Sequence, residues 1–410
     1  METRLPKLRA VDVRPVAQGG QVALVLRDPL QLSDEMIAIP QQLAPLLALC
    51  DGTRDAGALR AALGVRFGLR IGLDVLEQLL AALDEALLLD NDRFAQARER
   101  ALAEYRQAPF RPPALAGQSY PASADELRRF LRGYLDAVGD VSPVCDGGRG
   151  LISPHIDYAR GGPVYARVWR RAAEMVKAAE LVVLLGTDHF GEDGELTLTR
   201  QHYSTPFGVL PTSRQVMDAL ADALGAEAAF AGELHHRSEH SIELAAVWLH
   251  YMREGRPCEL VPILCGSFGH FVRGEAEAGL PGLPEQDAAI NALVDTLRLA
   301  TAGRRVLVVA SGDLSHVGPA FGGYPQGLVR RARLQAADDE LIERICAGDA
   351  EGFFAAIKRE GDRRNVCGLP PIYLALRVLS PVQGERVAYD RCPAEENGTS
   401  LVSVCGILFR

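Results

Sequence analysis

The 410-residue chain has few cysteines, eight in all, and no long apolar run. Its longest aliphatic stretches are short, such as residues 181–185 and 306–310. A membrane-spanning helix needs about 18 or more apolar residues in a row, so no membrane insertion is expected. The opening Met-Glu-Thr-Arg-Leu-Pro-Lys lacks the apolar core of an export signal. Eight thiols are too few for a disulfide scaffold of this length, and they are expected to stay reduced in the cytoplasm. An excess of basic charge is missing too. The net charge is −9, which disfavours nucleic acid as a partner. No internal repeat or low-complexity tract interrupts the chain. What is present, 48% hydrophobic and 24% charged residues, is an ordinary globular composition, long enough for two to three domains.

The first hundred residues differ in texture from the rest. Two β-rich pieces within 11–26 flank Gly19-Gly20 and predict a hairpin. Helices are expected over 41–50 and 56–63. Leu73, Leu76, Leu79, Leu80, Leu83 and Leu87 then recur at helical spacing. Residues 87–94 read as a short strand and turn. Hairpin, three helices and wing describe a small winged-helix-like unit over 1–95, which resembles the peptide-chaperone domains of pyrroloquinoline-quinone biosynthesis. Residues 96–113 read as a charged helix followed by a linker carrying Pro109, Pro112 and Pro113. Over 114–410, short apolar strands (150–152, 181–185, 260–264, 305–310) alternate with amphipathic stretches (165–179, 288–300). That alternation predicts an α/β domain with a largely parallel central sheet.

Three of these strands run into a histidine: Ser153-Pro154-His155, Gly186-Thr187-Asp188-His189, and Ser311-Gly312-Asp313-Leu314-Ser315-His316. Open α/β sheets bind ligands beyond the carboxyl ends of their strands, so the repeated layout predicts one shared site. Neutral imidazoles are good ligands for zinc, iron and copper, and two of them with one anionic ligand leave positions open for substrate. Asp313, three residues before His316, either orients that ring or caps a helix. Glu239-His240-Ser241-Ile242-Glu243 reads as the first turn of a buried helix with its two carboxylates on one face. His236 and His240 have chelating spacing, but Arg237-Ser238 point to His236 preceding the helix, and His235 and His236 are expected in a solvated loop. Cys367 lies in a turn before a helix near Pro371, beside Arg363 and Arg364, a setting expected to lower a thiol pKa. It is the best chemical candidate among the cysteines. Cys265 and Cys405 read as core and Cys50 as helix packing, while Cys145, Cys258, Cys346 and Cys392 show no pattern.

Taken in order, several segments resemble the Memo family, the B component of bacterial AmmeMemoRadiSam systems. They are Ala116-Gly117-Gln118-Ser119-Tyr120-Pro121, Ser153-Pro154-His155, Leu185-Gly186-Thr187-Asp188-His189, Tyr203-Ser204-Thr205-Pro206-Phe207-Gly208 and Glu239-His240-Ser241-Ile242-Glu243. Residues 308–316, Val366-Cys367-Gly368 and 399–404 complete the set. The resemblance covers 114–410. It implies a three-layer fold similar to class III extradiol dioxygenases, with a mixed, largely parallel sheet between helices. It also implies a redox-metal site of two histidines and a cysteine, at His155, His189 and Cys367, with Asp313, His316 and His240 lining the same pocket. Extradiol dioxygenases use a glutamate where Cys367 stands, and a softer thiolate favours Cu(I), Zn or thiolate-bound Fe(II), so ring cleavage by the standard route is not expected. This chain also has Asp188 before the second histidine, and Ser119 where the family usually carries a Trp.

The leading expectation is therefore a metal-dependent redox enzyme or oxygenase, with Fe(II) first and copper or zinc after it. His316 and Asp313 would handle protons, and His240 would stabilise bound oxygen. The resemblance implies radical-SAM and A-component partners, and a peptide or small-molecule substrate. Two other functions fit the residues: a non-catalytic peptide- or partner-binding module, and a zinc hydrolase using the same ligands.

Overall fold

The computed structural model describes residues 4–18, 21–139, 141–144, 147–274 and 282–410. The chain forms two compact units, Met1–Gln107 and Ala108–Arg410.

In the first unit, Asp12–Gln18 pairs antiparallel with Gln21–Arg27, which pairs with Ile37–Pro40. The Gly19-Gly20 turn expected between the first two strands lies outside the described residues. Helices Ala44–Leu49, Ala56–Phe67 and Leu73–Glu85 follow. The Asp55 carboxylate accepts the Ala58 amide at 2.8 Å, capping the second of them. The leucine periodicity works as expected up to Leu83, which is fully buried like Leu76. Leu87 does not continue it, because the helix ends at Glu85 and Leu87 adopts φ 58°. Of residues 87–94, only Leu89–Asp90 is strand, paired with Lys7–Leu8. The helix Asp92–Gln107 starts at once, because the Asn91 side chain accepts the Phe94 amide at 3.1 Å.

The second unit is built on one mixed sheet. Its strands are β1 (Gly150–Ser153), β2 (Leu181–Thr187), β3 (Leu196–Leu198), β4 (Glu259–Cys265), β5 (Val306–Ser311), β6 (His316–Val317), β7 (Gly384–Pro393) and β8 (Leu401–Phe409). They lie in the order β6-β8-β1-β5-β2-β4-β3, with β7 paired to the outside of β8. The four central strands, β1-β5-β2-β4, are parallel. Antiparallel strands flank them on both sides.

Alternate residues of each central strand enter two separate cores. Leu181, Val183 and Leu185 of β2 face one, with Val308 and Ala310 of β5. Val182 and Leu184 face the other, with Leu307 and Val309. Side chains of a strand point alternately to opposite faces, so a strand covered on both sides must be apolar throughout. That is why these runs carry no polar alternation. Helices α1 (Tyr158–Arg171) and α2 (His240–Met252) supply one layer, with Trp169 and Trp248 fully buried. Helices α3 (Ala288–Ala300) and α5 (Leu369–Leu379) supply the other, and α4 (Leu328–Cys346) contributes Leu341 and Ile345 to it.

The cysteines expected to be structural are so. Cys265 and Cys405 are fully buried and Cys50 is 4% exposed. The seven described cysteines are free thiols, and Cys145 lies outside the described residues. Among the described residues no helix is long and apolar enough to cross a membrane.

Candidate metal centre

Because β1, β5 and β2 are neighbours and parallel, the segments that leave their carboxyl ends converge. His155 follows β1, His189 follows β2, and Asp313 and His316 follow β5. The amino end of α2 adds His240. The ring centroids of His155 and His189 are 5.1 Å apart, those of His155 and His240 5.3 Å, and His189 stacks on His240 at 4.7 Å. Cys367 arrives from the turn before α5. Its Sγ is 3.1 Å from His155 Nε2, and it is hydrogen-bonded to His189 as well.

Two glycines permit that approach. A Cβ on Gly368 would come within 2.5 Å of the Asp313 carbonyl, and one on Gly312 within 2.6 Å of the Gly368 Cα. With neither present, the Gly368 amide donates to the Asp313 carbonyl at 2.9 Å. The Thr187 hydroxyl donates to the Cys367 carbonyl, also at 2.9 Å. The turn is thus fastened to the ends of β5 and β2.

Each imidazole is oriented through Nδ1. His155 Nδ1–H donates to the Ser311 carbonyl at 3.2 Å. His189 Nδ1–H donates to both Glu239 oxygens at 3.1 Å, and His240 Nδ1 lies 3.0 Å from Glu239 Oε1. A carbonyl can only accept, so the proton of neutral His155 sits on Nδ1 and its Nε2 keeps a lone pair. At His189 and His240 the Glu239 carboxylate is the acceptor for Nδ1–H. This is the outer-shell pattern of metal-ligating histidines. Among the described residues three groups have ligand atoms close enough to hold a metal ion: His155, His189 and His240; His155, Asp313 and Cys367, which shares His155 with the first; and, apart from these, Asp188, Glu195 and His235. His155 is 2% exposed, whereas His189 and His240 side chains are 33% and 37% exposed, so the cluster opens to solvent on their side.

Glu239 is the residue that sequence reasoning undervalued. It is fully buried, caps α2 by accepting the His240 and Ser241 amides at 2.7 and 3.0 Å, and accepts the His189 amide at 2.9 Å. Burial alone would raise its pKa, but His189 and His240 hold it well below the usual carboxylate range. In return, and against the effect of burial, Glu239 holds His189 well above the ordinary histidine value. Burial and the neighbouring imidazoles push His155 well below it. Glu243 was expected to share a face with Glu239, but it serves a different purpose. It takes the amides of Ala114 and Leu115 at 2.8 Å, the Tyr120 hydroxyl, and an ion pair from Arg111. Arg111, in the stretch expected to be a linker, is completely buried. It also donates to the carbonyls of His236 at 2.7 Å and Glu239 at 3.0 Å.

Several local expectations need correction. Asp313 does not orient His316. Its Oδ1 accepts the His155 amide at 2.9 Å, and its Oδ2 lies 3.8 Å from His155 Nε2. Burial raises its carboxyl to about 6. His316 Nδ1–H donates instead to the carbonyls of Asn365 at 3.1 Å and Leu314 at 3.3 Å, and burial lowers its pKa to about 4. The Cys367 thiol is not activated by its helix or its arginines. Burial raises its pKa, with His189 only partly opposing this, and Arg364 is turned to Asp338 and Glu360. His235 and His236 are not in a solvated loop. His236 is fully buried between the Tyr203 hydroxyl, at 2.5 Å, and the Thr197 carbonyl, at 3.1 Å. His235 is paired with Asp188 at 2.8 Å. His236 and His240 cannot chelate together, because the short helix His235–Ser238 ends at Glu239, whose backbone is extended.

Comparison with known proteins gives the same family as the motif order. Residues 111–407 match the model of the Memo-like proteins. A MEMO1 family protein of Aquifex aeolicus is 26% identical over 407 residues, covering 98% of this chain and 99% of its own, so the similarity takes in the N-terminal unit. MEMO1 family proteins of the archaea Methanopyrus kandleri and Methanosarcina acetivorans are 29% and 27% identical. They cover 68% and 67% of this chain, and 91% and 88% of their own. With the family model spanning well over half of its length, the chain belongs to the Memo family.

Proposed function

We propose that this protein is a metal-dependent redox enzyme, with Fe(II) held by His155, His189 and Cys367. The observation that carries the reading is the position of His155, whose Nε2 lies 3.1 Å from the Cys367 thiol and which belongs to both ligand groups, the one with His189 and the one with Cys367. That donor set suits Fe(II) or Cu(I) and leaves coordination positions open. A metal bound there would supply Lewis-acid and one-electron chemistry, and would favour the Cys367 thiolate that burial otherwise opposes. The chain's own residues manage protons and position. His316, neutral at pH 7, offers Nε2 as a proton acceptor. Asp313, with its carboxyl near 6, can hold or release a proton beside His155. His240 lies on the solvent side of the cluster, where it can contact a bound substrate.

The three-imidazole group favours a second reading, a zinc hydrolase, since three histidines with an open position suit a catalytic zinc. An overall similarity to extradiol dioxygenases belongs to the first reading. We further read the N-terminal unit as a winged-helix-like module that presents a peptide, with radical-SAM and A-component proteins as partners.

The deciding experiment is anaerobic reconstitution of the full chain with Fe(II), Cu(I) or Zn(II), followed by exposure to O₂. The redox reading expects stoichiometric Fe(II) binding and metal-dependent O₂ consumption. Tight zinc binding with no gain of iron or copper would contradict it. A Glu239→Gln variant should bind metal about 10–100-fold more weakly, as for loss of an outer-shell partner, measured by competition with a chelator.

A further inference from the structure

A second feature of the same unit has no part in holding a metal. A cavity of about 500 Å³ is bordered by the segment that begins at His316, the start of α4 and the turn before Cys367. Its size is that of a small-molecule site. In a chain of net charge −9, its wall holds four arginines, Arg330, Arg333, Arg363 and Arg364, against one acid, Glu360.

Glu360 is already engaged by Arg364, which donates to it at 2.7 Å and also pairs with the buried Asp338. No carboxylate among the described residues forms an ion pair with Arg330, Arg333 or Arg363. Arg330 lies 5.0 Å over the Tyr324 ring, a contact that steadies a guanidinium without neutralising it. Three like charges around one concavity repel each other and focus a positive field into it. An anion relieves both effects, and guanidinium groups are the donors best matched to carboxylate and phosphate oxygens.

The wall also carries aromatic rings. Phe321 meets His316 edge-on at 5.1 Å, and Tyr324 is 72% exposed. His316 itself is near enough to the metal-site cluster for His155 and His189 to be coupled to it electrostatically.

We propose that this cavity binds the acidic group of the substrate, a carboxylate or a phosphate, and that the substrate is a small organic anion whose apolar body lies against Phe321 and Tyr324. The identity of the ligand as substrate rests on the redox reading, but anion binding in the cavity does not.

The test is calorimetric titration of the full chain with benzoate, phenylphosphonate and the neutral benzyl alcohol. The same titrations are run on an Arg333→Gln/Arg363→Gln variant, and metal content is measured on each sample. Neither arginine has an ion-pair partner to lose, so the variant should fold normally. The expected result is binding of at least one anion in the roughly millimolar range, weaker at high salt, with benzyl alcohol inert. Binding should weaken about tenfold or more in the variant at unchanged metal content. The stronger of the two anions identifies the headgroup as carboxylate or phosphate. Equal binding of benzyl alcohol, no binding of either anion, or unchanged binding in the variant would overturn the proposal. Anion binding by protein that takes up no iron or copper would overturn the redox reading alone.

Discussion

Replacing Cys367 with alanine is expected to weaken Fe(II) binding by about 100-fold or more, since outer-shell changes alone cost about 10–100-fold and this change removes a donor atom. The effect should be specific to the metal. Cys367 Sγ contacts His155, His189 and, at 3.7 Å, the Asp313 carbonyl. The turn itself is held by the Gly368 amide and the Thr187 hydroxyl, whose bonds to backbone carbonyls the substitution leaves in place. Urea unfolding of metal-free protein should therefore change by only about 1 kcal/mol. Wild-type Fe(II) affinity in the variant would transfer the site to His155, His189 and His240, the group that needs no thiolate.

Arg111→Met is expected to be the most destabilising single change near the site, by about 3–5 kcal/mol. Breaking a buried pair by removing one partner leaves an uncompensated charge. Arg111 and Glu243 are 0% and 1% exposed. The remaining donors to Glu243, two amides and the Tyr120 hydroxyl, place the expectation toward the lower end. Adding Glu243→Gln should recover part of the loss, because the stranded charge goes with it. The same variant should weaken metal binding, because Arg111 also fixes the carbonyls of His236 and Glu239 just ahead of α2. A loss below about 1 kcal/mol in urea unfolding would contradict this account of the network.

The parts of the site that follow from strand periodicity were legible in the sequence. Apolar runs ending at His155, His189 and His316 do place those residues at one sheet edge, because the strands that carry them are parallel neighbours. Partners set by long-range pairing were not legible. Asp313 serves His155, 158 residues away, because Ser311 of β5 sits opposite Ser153 of β1, and no local spacing encodes that register. The thiol of Cys367 misled for the opposite reason. A helix start and two arginines are visible locally, whereas the burial that outweighs them is not. Arg111 was hidden by its context, since prolines around an arginine read as a linker. Glu239 was in view but looked like any acid in the first turn of a helix. Only the fold shows that its two oxygens serve two histidines.

The central claim is that one thiolate and two imidazoles share a metal. X-ray absorption of the iron-loaded full chain addresses it most directly. The account predicts about one sulfur scatterer per iron, alongside imidazole nitrogens, in the first coordination shell. An iron shell of nitrogen and oxygen with no sulfur, or protein that takes up no iron, would contradict it.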